Sequence, residues 1–166
     1  MGESKSKAGH NDHCRGAKRQ LVLLDIENFT RTSSPTVLDL AIAERKLGEV
    51  FCDFGQTLWV MACSHWAART VAFAFPQARH LWRSGPDGAD YALIDEMTDL
   101  RTMTQFDGVI LVSGDWRFAE SLAALARQGI ETTVVSWVSS LSRRLRLAAQ
   151  HVIALADGDT TFGEAS

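Results

Sequence analysis

The chain has 166 residues, of which 46% are apolar and 22% charged, and its formal net charge is −3. These values are typical of one soluble globular domain, and they exclude a protein coated in phosphate-binding residues. No apolar run approaches the roughly 18 residues of a membrane span, and the polar N-terminus lacks the apolar core of a signal peptide. We therefore expect a cytoplasmic protein with no membrane partner.

Residues 1–19 hold few large apolar side chains and are predicted to form a disordered basic tail, with five basic residues against two acidic ones. Such a tail can steer nucleic acid towards a site, although many basic tails are simply solvated. Residues 157–166 are predicted to form a second disordered tail. The folded domain is therefore expected to cover residues 20–156.

Within this domain, short apolar runs alternate with segments of helical periodicity. Strands are predicted at residues 21–24, 56–63, 79–83, 108–112, 130–136 and 152–155. Helices are predicted at residues 33–55, 66–75, 89–103, 117–127 and 139–149, the first of them capped by the hydroxyl of Ser33 or Ser34. This alternation predicts a three-layer, Rossmann-like α/β sandwich around a mainly parallel sheet of five or six strands.

Aspartates follow two of the predicted strands. Asp25 follows the first strand and Asp115 the fourth, so their carboxylates can hold one cation if those strands are neighbours, about 5 Å apart. Asp87 and Asp90 lie one helical turn apart at the start of a predicted helix and can face the same side. Asp95 lies roughly 140° further round that helix and is a more distant candidate.

Carboxylates gathered in one pocket repel each other unless a proton or a metal ion neutralises them. Hard oxygen ligands favour Mg²⁺ or Mn²⁺, and Asn28 can add an amide oxygen or orient a water. Such a cluster suits hydrolysis of phosphodiesters, because the metal lowers the pKa of a bound water and offsets charge on the phosphate. The alternative is structural, since an aspartate such as Asp115 at a strand-to-helix junction is often only a helix cap.

A second set of residues is predicted to contact phosphate or bases. Ser113 and Gly114 form a tight turn where backbone can approach a phosphate. The tryptophan next to Asp115 can stack on a base or pack against the protein, and three late arginines can bind phosphates or form a solvated helix face. The full set is Ser113, Gly114, Trp116, Arg117, Arg143, Arg144 and Arg146.

Three segments resemble the successive motifs of NYN domains, relatives of the PIN-type ribonucleases. They are Asp25-Ile26-Glu27-Asn28, Gly85-Pro86-Asp87-Gly88-Ala89-Asp90 continuing to Asp95, and Val112-Ser113-Gly114-Asp115-Trp116-Arg117-Phe118. The resemblance covers roughly residues 20–155. It implies strand order 3-2-1-4-5 and RNA cleavage that depends on Mg²⁺ or Mn²⁺. By motif, it also implies metal ligation by Asp25, Asp90 and Asp115, with Asn28 as an accessory group.

One position departs from the family pattern. Many relatives have a second acid two positions after the aspartate of the SGD motif, where this chain has Arg117. The departure implies either a weak metal site or a binding protein that has lost catalysis.

The sequence therefore predicts a metal-dependent ribonuclease with RNA as its partner. The alternative is a catalytically weakened module of the same fold that binds RNA or protein, and a homodimer is also left open. A phosphatase would use similar chemistry but needs a second aspartate where this chain has Glu27. A nucleotide-binding Rossmann protein needs a Gly-rich loop after the first strand, where this chain has the DIEN motif.

Overall fold

The computed structural model describes residues 18–99, 103–159 and 162. Most of the predicted N-terminal tail therefore lies outside the described residues. At the other end, Asp157–Asp159 form a single 3-10 turn, and Phe162 packs against Phe29 and Trp137. The packed chain thus continues beyond residue 156.

A single parallel sheet forms the centre of the described chain, with strand order β3-β2-β1-β4-β5-β6. Its strands are β1 (Arg19–Asp25), β2 (Gln56–Cys63), β3 (Arg79–Trp82), β4 (Gly108–Val112), β5 (Glu131–Trp137) and β6 (His151–Leu155). This confirms the predicted fold class and strand order. The order is extended by β6, which pairs in parallel with β5.

Helices cover both faces of the sheet. They are α1 (Ile26–Thr30), α2 (Val37–Phe51), α3 (Ala68–Ala74), α4 (Gly88–Thr98), α5 (Ala119–Arg127) and α6 (Arg143–Ala148), with a 3-10 turn at Trp116–Phe118 before α5. None of the helices in the described part of the chain has the length and apolar character needed to cross a bilayer.

The two layers of helices pack on two separate apolar cores. Val22 and Leu24 of β1 face the core beneath α1, α2 and α3, while Leu21 and Leu23 face the core beneath α4, α5 and α6. All four side chains are fully buried. The uninterrupted aliphatic run of β1 is therefore explained by burial on both faces of the sheet.

The start of α2 differs from the prediction. Its cap is Thr36, not Ser33 or Ser34. The Thr36 hydroxyl accepts a hydrogen bond from the Asp39 N–H at 3.2 Å, and the Asp39 carboxylate accepts one from the Thr36 N–H at 2.8 Å. This capping box satisfies two N–H groups at once, which a cap at either serine would not do.

The other four predicted helices are also shorter than predicted, and one helix is new. The last helix begins at Arg143, not at residue 139, because Ser142 caps it by accepting a hydrogen bond from the Leu145 N–H. Helix α4 ends at Thr98, and residues 100–102 of its predicted length lie outside the described residues. Helix α1, directly after β1, is not among the predicted helices.

The site is positioned by the register of the central strands. Leu24 of β1 pairs with Val112 of β4, so the residues that follow them, Asp25 and Ser113, lie side by side at the carboxyl edge of the sheet. This is the edge where open α/β sheets bind their ligands.

Candidate functional site

A polar pocket of about 230 Å³ opens at the carboxyl ends of β1 and β4. Its titratable groups are all carboxylates, and five of the predicted site residues line it. The lining residues are Asp25, Glu27, Asn28, Ser64, Gly85, Asp87, Gly88, Ala89, Asp90 and Asp115.

Asp25 lies deepest in this pocket and is only 4% exposed. One carboxylate oxygen accepts a hydrogen bond from the Asn28 N–H at 3.2 Å and so caps α1, and the other accepts one from the Ser113 hydroxyl at 3.2 Å. Burial raises the pKa of Asp25 to about 7, and repulsion from Asp90 and Glu27 adds to that increase, while the two hydrogen bonds oppose it.

Asp90 lies on the first turn of α4 and is 9% exposed. Burial raises its pKa to about 6, and repulsion from Asp115 and Asp87 contributes although Arg117 acts in the opposite direction. The turn before α4 is fixed by Gly88, where an added Cβ would lie 2.3 Å from the Arg83 carbonyl oxygen. Close packing of this turn holds Asp87 and Asp90 at the pocket.

These shifts predict how stability depends on pH. Because folding raises the pKa of Asp25 from 3.8 to about 7, the folded state binds this proton more tightly than the unfolded state. The free energy of unfolding should therefore fall as the pH rises through this interval and level off above it. Asp25→Asn should flatten the decline and gain about 1–3 kcal/mol at pH 7, since each pKa unit is worth about 1.4 kcal/mol.

Urea denaturation at several pH values measures this effect. Asp95→Asn is the matched control, because Asp95 is exposed and should leave the pH dependence of the wild type in place. If the free energy of unfolding of the wild type rose between about pH 4 and about pH 7, the pKa of Asp25 would not be raised by burial.

Arg117 lies among three of the carboxylates. Its Nη1 is 2.9 Å from Asp115 Oδ2 and 3.0 Å from Asp90 Oδ2, and its Nη2 is 3.3 Å from Asp87 Oδ1. Asp115 is the main cause of the raised pKa of Arg117. The sequence predicts that Arg117 contacts a phosphate, but its guanidinium pairs with acids of the pocket instead. It lies at the position where the resemblance implies a further acid.

The turn formed by Ser113 and Gly114 is not open to a phosphate, contrary to the prediction. The Gly114 N–H donates to Asn28 Oδ1 at 2.9 Å, and a Cβ at Gly114 would lie 2.2 Å from the Ser140 carbonyl oxygen. Ser113 is 2% exposed, and its hydroxyl accepts a hydrogen bond from the Asp115 N–H. The turn, and the amide oxygen of Asn28 with it, holds the pocket together.

Asp95 does not join the pocket. Its side chain is 72% exposed and pairs with Arg83 at 2.7 Å on the outer side of α4. The angular offset along the helix already indicated this separation.

The remaining predicted contacts are Trp116, next to Asp115, and the exposed arginines of α6. Trp116 is 53% exposed, and its ring lies 6.0 Å from the guanidinium carbon of Arg117 and 5.4 Å from that of Arg144. Arg143 and Arg146 are also exposed on α6. We call Trp116, Arg143, Arg144 and Arg146 the Trp–Arg surface.

Glu27 and Ser64 line the pocket and are not among the predicted site residues. Glu27 Oε1 accepts a hydrogen bond from the Ser64 N–H at 2.8 Å, which ties α1 to the end of β2. Glu27 could have been identified, because it lies two residues after Asp25. Ser64 carries no such signal, since it takes part through its backbone.

The pocket residues fit a hard divalent cation by their chemistry, because Mg²⁺ and Mn²⁺ prefer carboxylate oxygens and five carboxylates line the pocket. Within the described ranges, no group of three or more His, Cys, Asp or Glu side chains is arranged as a metal site. Three of the pocket carboxylates pair with the Arg117 guanidinium instead.

Comparison with known proteins agrees with this architecture. A protein of unknown function from Vibrio parahaemolyticus has a similar fold, with a TM-score of 0.60 and 16% identity over 87% of this chain and 96% of that chain. Among curated proteins, none matches this chain. The NYN domain model matches residues 19–156. This match spans the whole sheet and the acidic pocket, and the chain therefore belongs to the NYN domain family.

Proposed function

We propose that this NYN domain is a metal-dependent ribonuclease that hydrolyses phosphodiester bonds of RNA. The observation that carries the proposal is the convergence of Asp25, Asp90 and Asp115 on one pocket from three different elements. The pairing of β1 with β4 brings Asp25 and Asp115 to one edge whatever their role. A helix cap gives no reason for Asp90 of α4 to meet them, whereas a cation site does.

Asp25, Asp90 and Asp115 would hold Mg²⁺ or Mn²⁺. The ion, when bound, lowers the pKa of a water molecule and offsets charge on the scissile phosphate. The protein supplies the positioning: Ser113 donates a hydrogen bond to Asp25, and Asn28 holds the turn that carries Asp115. Glu27, which accepts a hydrogen bond from the Ser64 N–H, adds a further carboxylate to the pocket lining.

The Trp–Arg surface supports RNA as the substrate. Trp116 directly follows Asp115 and is half exposed, so a base stacked on its ring would lie beside the pocket. The arginines of α6 are exposed and can bind backbone phosphates, and Arg144 among them contacts the Trp116 ring. An acidic pocket beside a basic, aromatic surface suits a polyanion whose scissile bond alone enters the pocket.

The direct test is to incubate the purified protein with RNA, single-stranded DNA, double-stranded DNA and a phosphomonoester. Each substrate is tested with Mg²⁺, Mn²⁺ and EDTA. We expect cleavage of RNA with either metal and none in EDTA. Hydrolysis of the phosphomonoester alone would replace the ribonuclease with a phosphatase, and RNA cleavage that persists in EDTA would contradict the metal dependence.

Arg117 favours a second candidate function, an RNA- or protein-binding module without hydrolysis. Its guanidinium pairs with three carboxylates that would otherwise be available to a metal. Under this alternative, the chain binds RNA on the Trp–Arg surface but releases it uncut in either metal. An RNA-binding measurement beside the cleavage assay distinguishes the two functions.

The arginines of α6 give a separate prediction about binding. Replacing Arg143, Arg144 and Arg146 together by Ala should weaken RNA binding and flatten its salt dependence. The slope of log K against log salt should fall by about 2, at about 0.7 per lost phosphate contact on a single strand. Fluorescence anisotropy with labelled RNA at several salt concentrations measures this slope.

The matched control replaces Arg45, Lys46 and Arg69 by Ala. These residues lie on α2 and α3, on the opposite face of the sheet, and the change in net charge is the same. An equal loss of slope in both triple variants would show that overall charge, and not the Trp–Arg surface, controls binding.

A further inference from the structure

The guanidinium of Arg117 connects acids from two separate elements. Asp87 and Asp90 belong to the start of α4, and Asp115 follows β4. All three lie within 3.3 Å of Arg117. A single positive group thus lies where the carboxylates of the pocket converge.

Of the three carboxylates, Asp115 is the one whose two oxygens both accept hydrogen bonds from Arg117. Its Oδ2 contacts the guanidinium at 2.9 Å, and its Oδ1 accepts a hydrogen bond from the Arg117 backbone N–H at 2.9 Å. A cation that binds Asp115 must therefore take an oxygen that Arg117 now uses. The arginine and the cation would share a ligand, and their positive charges repel each other at that distance, so they compete for Asp115.

Arg117 neutralises only part of the pocket. The lining contains five carboxylates: Asp25, Glu27, Asp87, Asp90 and Asp115. Asp25 makes its hydrogen bonds to the Asn28 N–H and the Ser113 hydroxyl and not to Arg117. Negative charge therefore remains to attract a divalent ion while Arg117 is in place.

The Arg117 side chain also has a partner other than the carboxylates. It is 36% exposed, and the half-exposed ring of Trp116 lies 6.0 Å from its guanidinium carbon. An arginine can stack on an aromatic face or bind a phosphate with both nitrogens. Leaving the carboxylates would thus not leave the guanidinium without a partner.

From these contacts we propose that Arg117 is an internal counter-ion that competes with the divalent cation for the carboxylates of the pocket. The wild-type site then binds metal weakly, and the metal binds tightly only when the guanidinium has moved out. The identity of the cation rests on the proposed function, whereas the competition rests on the shared oxygens of Asp90 and Asp115.

The test is to titrate Mn²⁺ into the full-length wild type, Arg117→Gln, Arg117→Lys and Arg83→Gln by isothermal calorimetry. Arg83→Gln is the matched control, because it removes the same charge and breaks an ion pair to α4 outside the pocket. Arg117→Gln should lower the Kd for Mn²⁺ about tenfold or more, since the charge removed lies about 3 Å from the ligands. Arg83→Gln should stay within about twofold of the wild type.

Arg117→Lys should give an intermediate Kd, because a single ammonium group is a point charge that cannot span three carboxylates. The Arg117→Lys variant keeps the net charge of the wild type. If Arg117→Gln fails to fold, the Kd of Arg117→Lys therefore still tests whether Arg117 competes with the cation. Thermal melts with and without Mn²⁺ should show the same order of stabilisation.

Equal Mn²⁺ affinity in the wild type and both Arg117 variants, or no Mn²⁺ binding by any of them, would overturn the competition. A gain in affinity without any RNA cleavage would support the competition and reject the ribonuclease. Failure of this inference and failure of the proposed function therefore give different results.

Discussion

Asp25→Asn should lower metal-dependent RNA cleavage by at least about a hundredfold while leaving the domain folded. Asp25 is the most buried of the pocket carboxylates, so removing its charge weakens the cation site at its base. Asn can still cap α1, since it accepts a hydrogen bond from the Asn28 N–H as well as Asp does. Initial rates on a labelled RNA with Mn²⁺ measure the loss of cleavage, and circular dichroism shows whether the variant is folded.

Asp95→Asn makes the same chemical change on the exposed side of α4 and should keep the wild-type rate. Asp115→Asn should lose cleavage as Asp25→Asn does, because Asp115 also lines the pocket. If a well-folded Asp25→Asn variant cleaved RNA at the wild-type rate, the pocket would not be the catalytic centre.

Gly114→Ala should destabilise the fold by about 3 kcal/mol, at the upper end of the usual cost of overpacking. An added Cβ would lie 2.2 Å from the Ser140 carbonyl oxygen, 2.5 Å from its carbon and 2.8 Å from the Ser136 hydroxyl. Because two of these atoms belong to the backbone, the turn itself must shift. That shift also disturbs the hydrogen bond from the Gly114 N–H to Asn28.

Gly48→Ala is the matched control for this glycine. It lies within α2, and no atom lies within 4 Å of its added Cβ. The substitution should raise the free energy of unfolding by about 0.5–1 kcal/mol, because alanine favours the helix. Urea denaturation of the three proteins gives both values, and unchanged stability in Gly114→Ala would show that the turn tolerates the added atom.

The central strands were predictable because burial on both faces leaves a continuous apolar run. Residues 21–24 and 108–112 show this pattern, and β2 and β4 have the predicted bounds. The acids at the ends of β1 and β4 could be placed near each other for the same reason, since adjacent parallel strands end at one edge. The strands therefore follow from local sequence, whereas the pairing of β1 with β4, and with it the location of the pocket, comes from the strand order that the resemblance implies.

Helix starts were less predictable, because several hydroxyl residues precede α2. Only Thr36 has an acid three positions later, Asp39, and this capping box decides between the candidates. The short α1 was missed because five residues are too few to show a periodic pattern.

The direction of the Arg117 side chain could not be predicted from its position in the sequence. An arginine after a strand-end aspartate can point to solvent, to a phosphate or into the pocket. The outcome is decided by Asp87 and Asp90, which are distant in sequence and approach only through the packing of α4. The role of Gly114 was missed similarly, because its neighbour Ser140 belongs to a later loop.

The central position of β1 has a consequence for folding during synthesis. Its pairing partner β4 is far away along the chain, and the Arg19 N–H bonds to Asp107 across 88 residues. Contacts over such distances form slowly, since a long loop must close first. A nascent chain that has emerged only as far as β3 therefore carries β1 with one apolar edge unpaired, which is prone to associate with other chains. Asp25 and Asp115 meet only when β4 fills that edge, so the acidic pocket is assembled by a late step of folding.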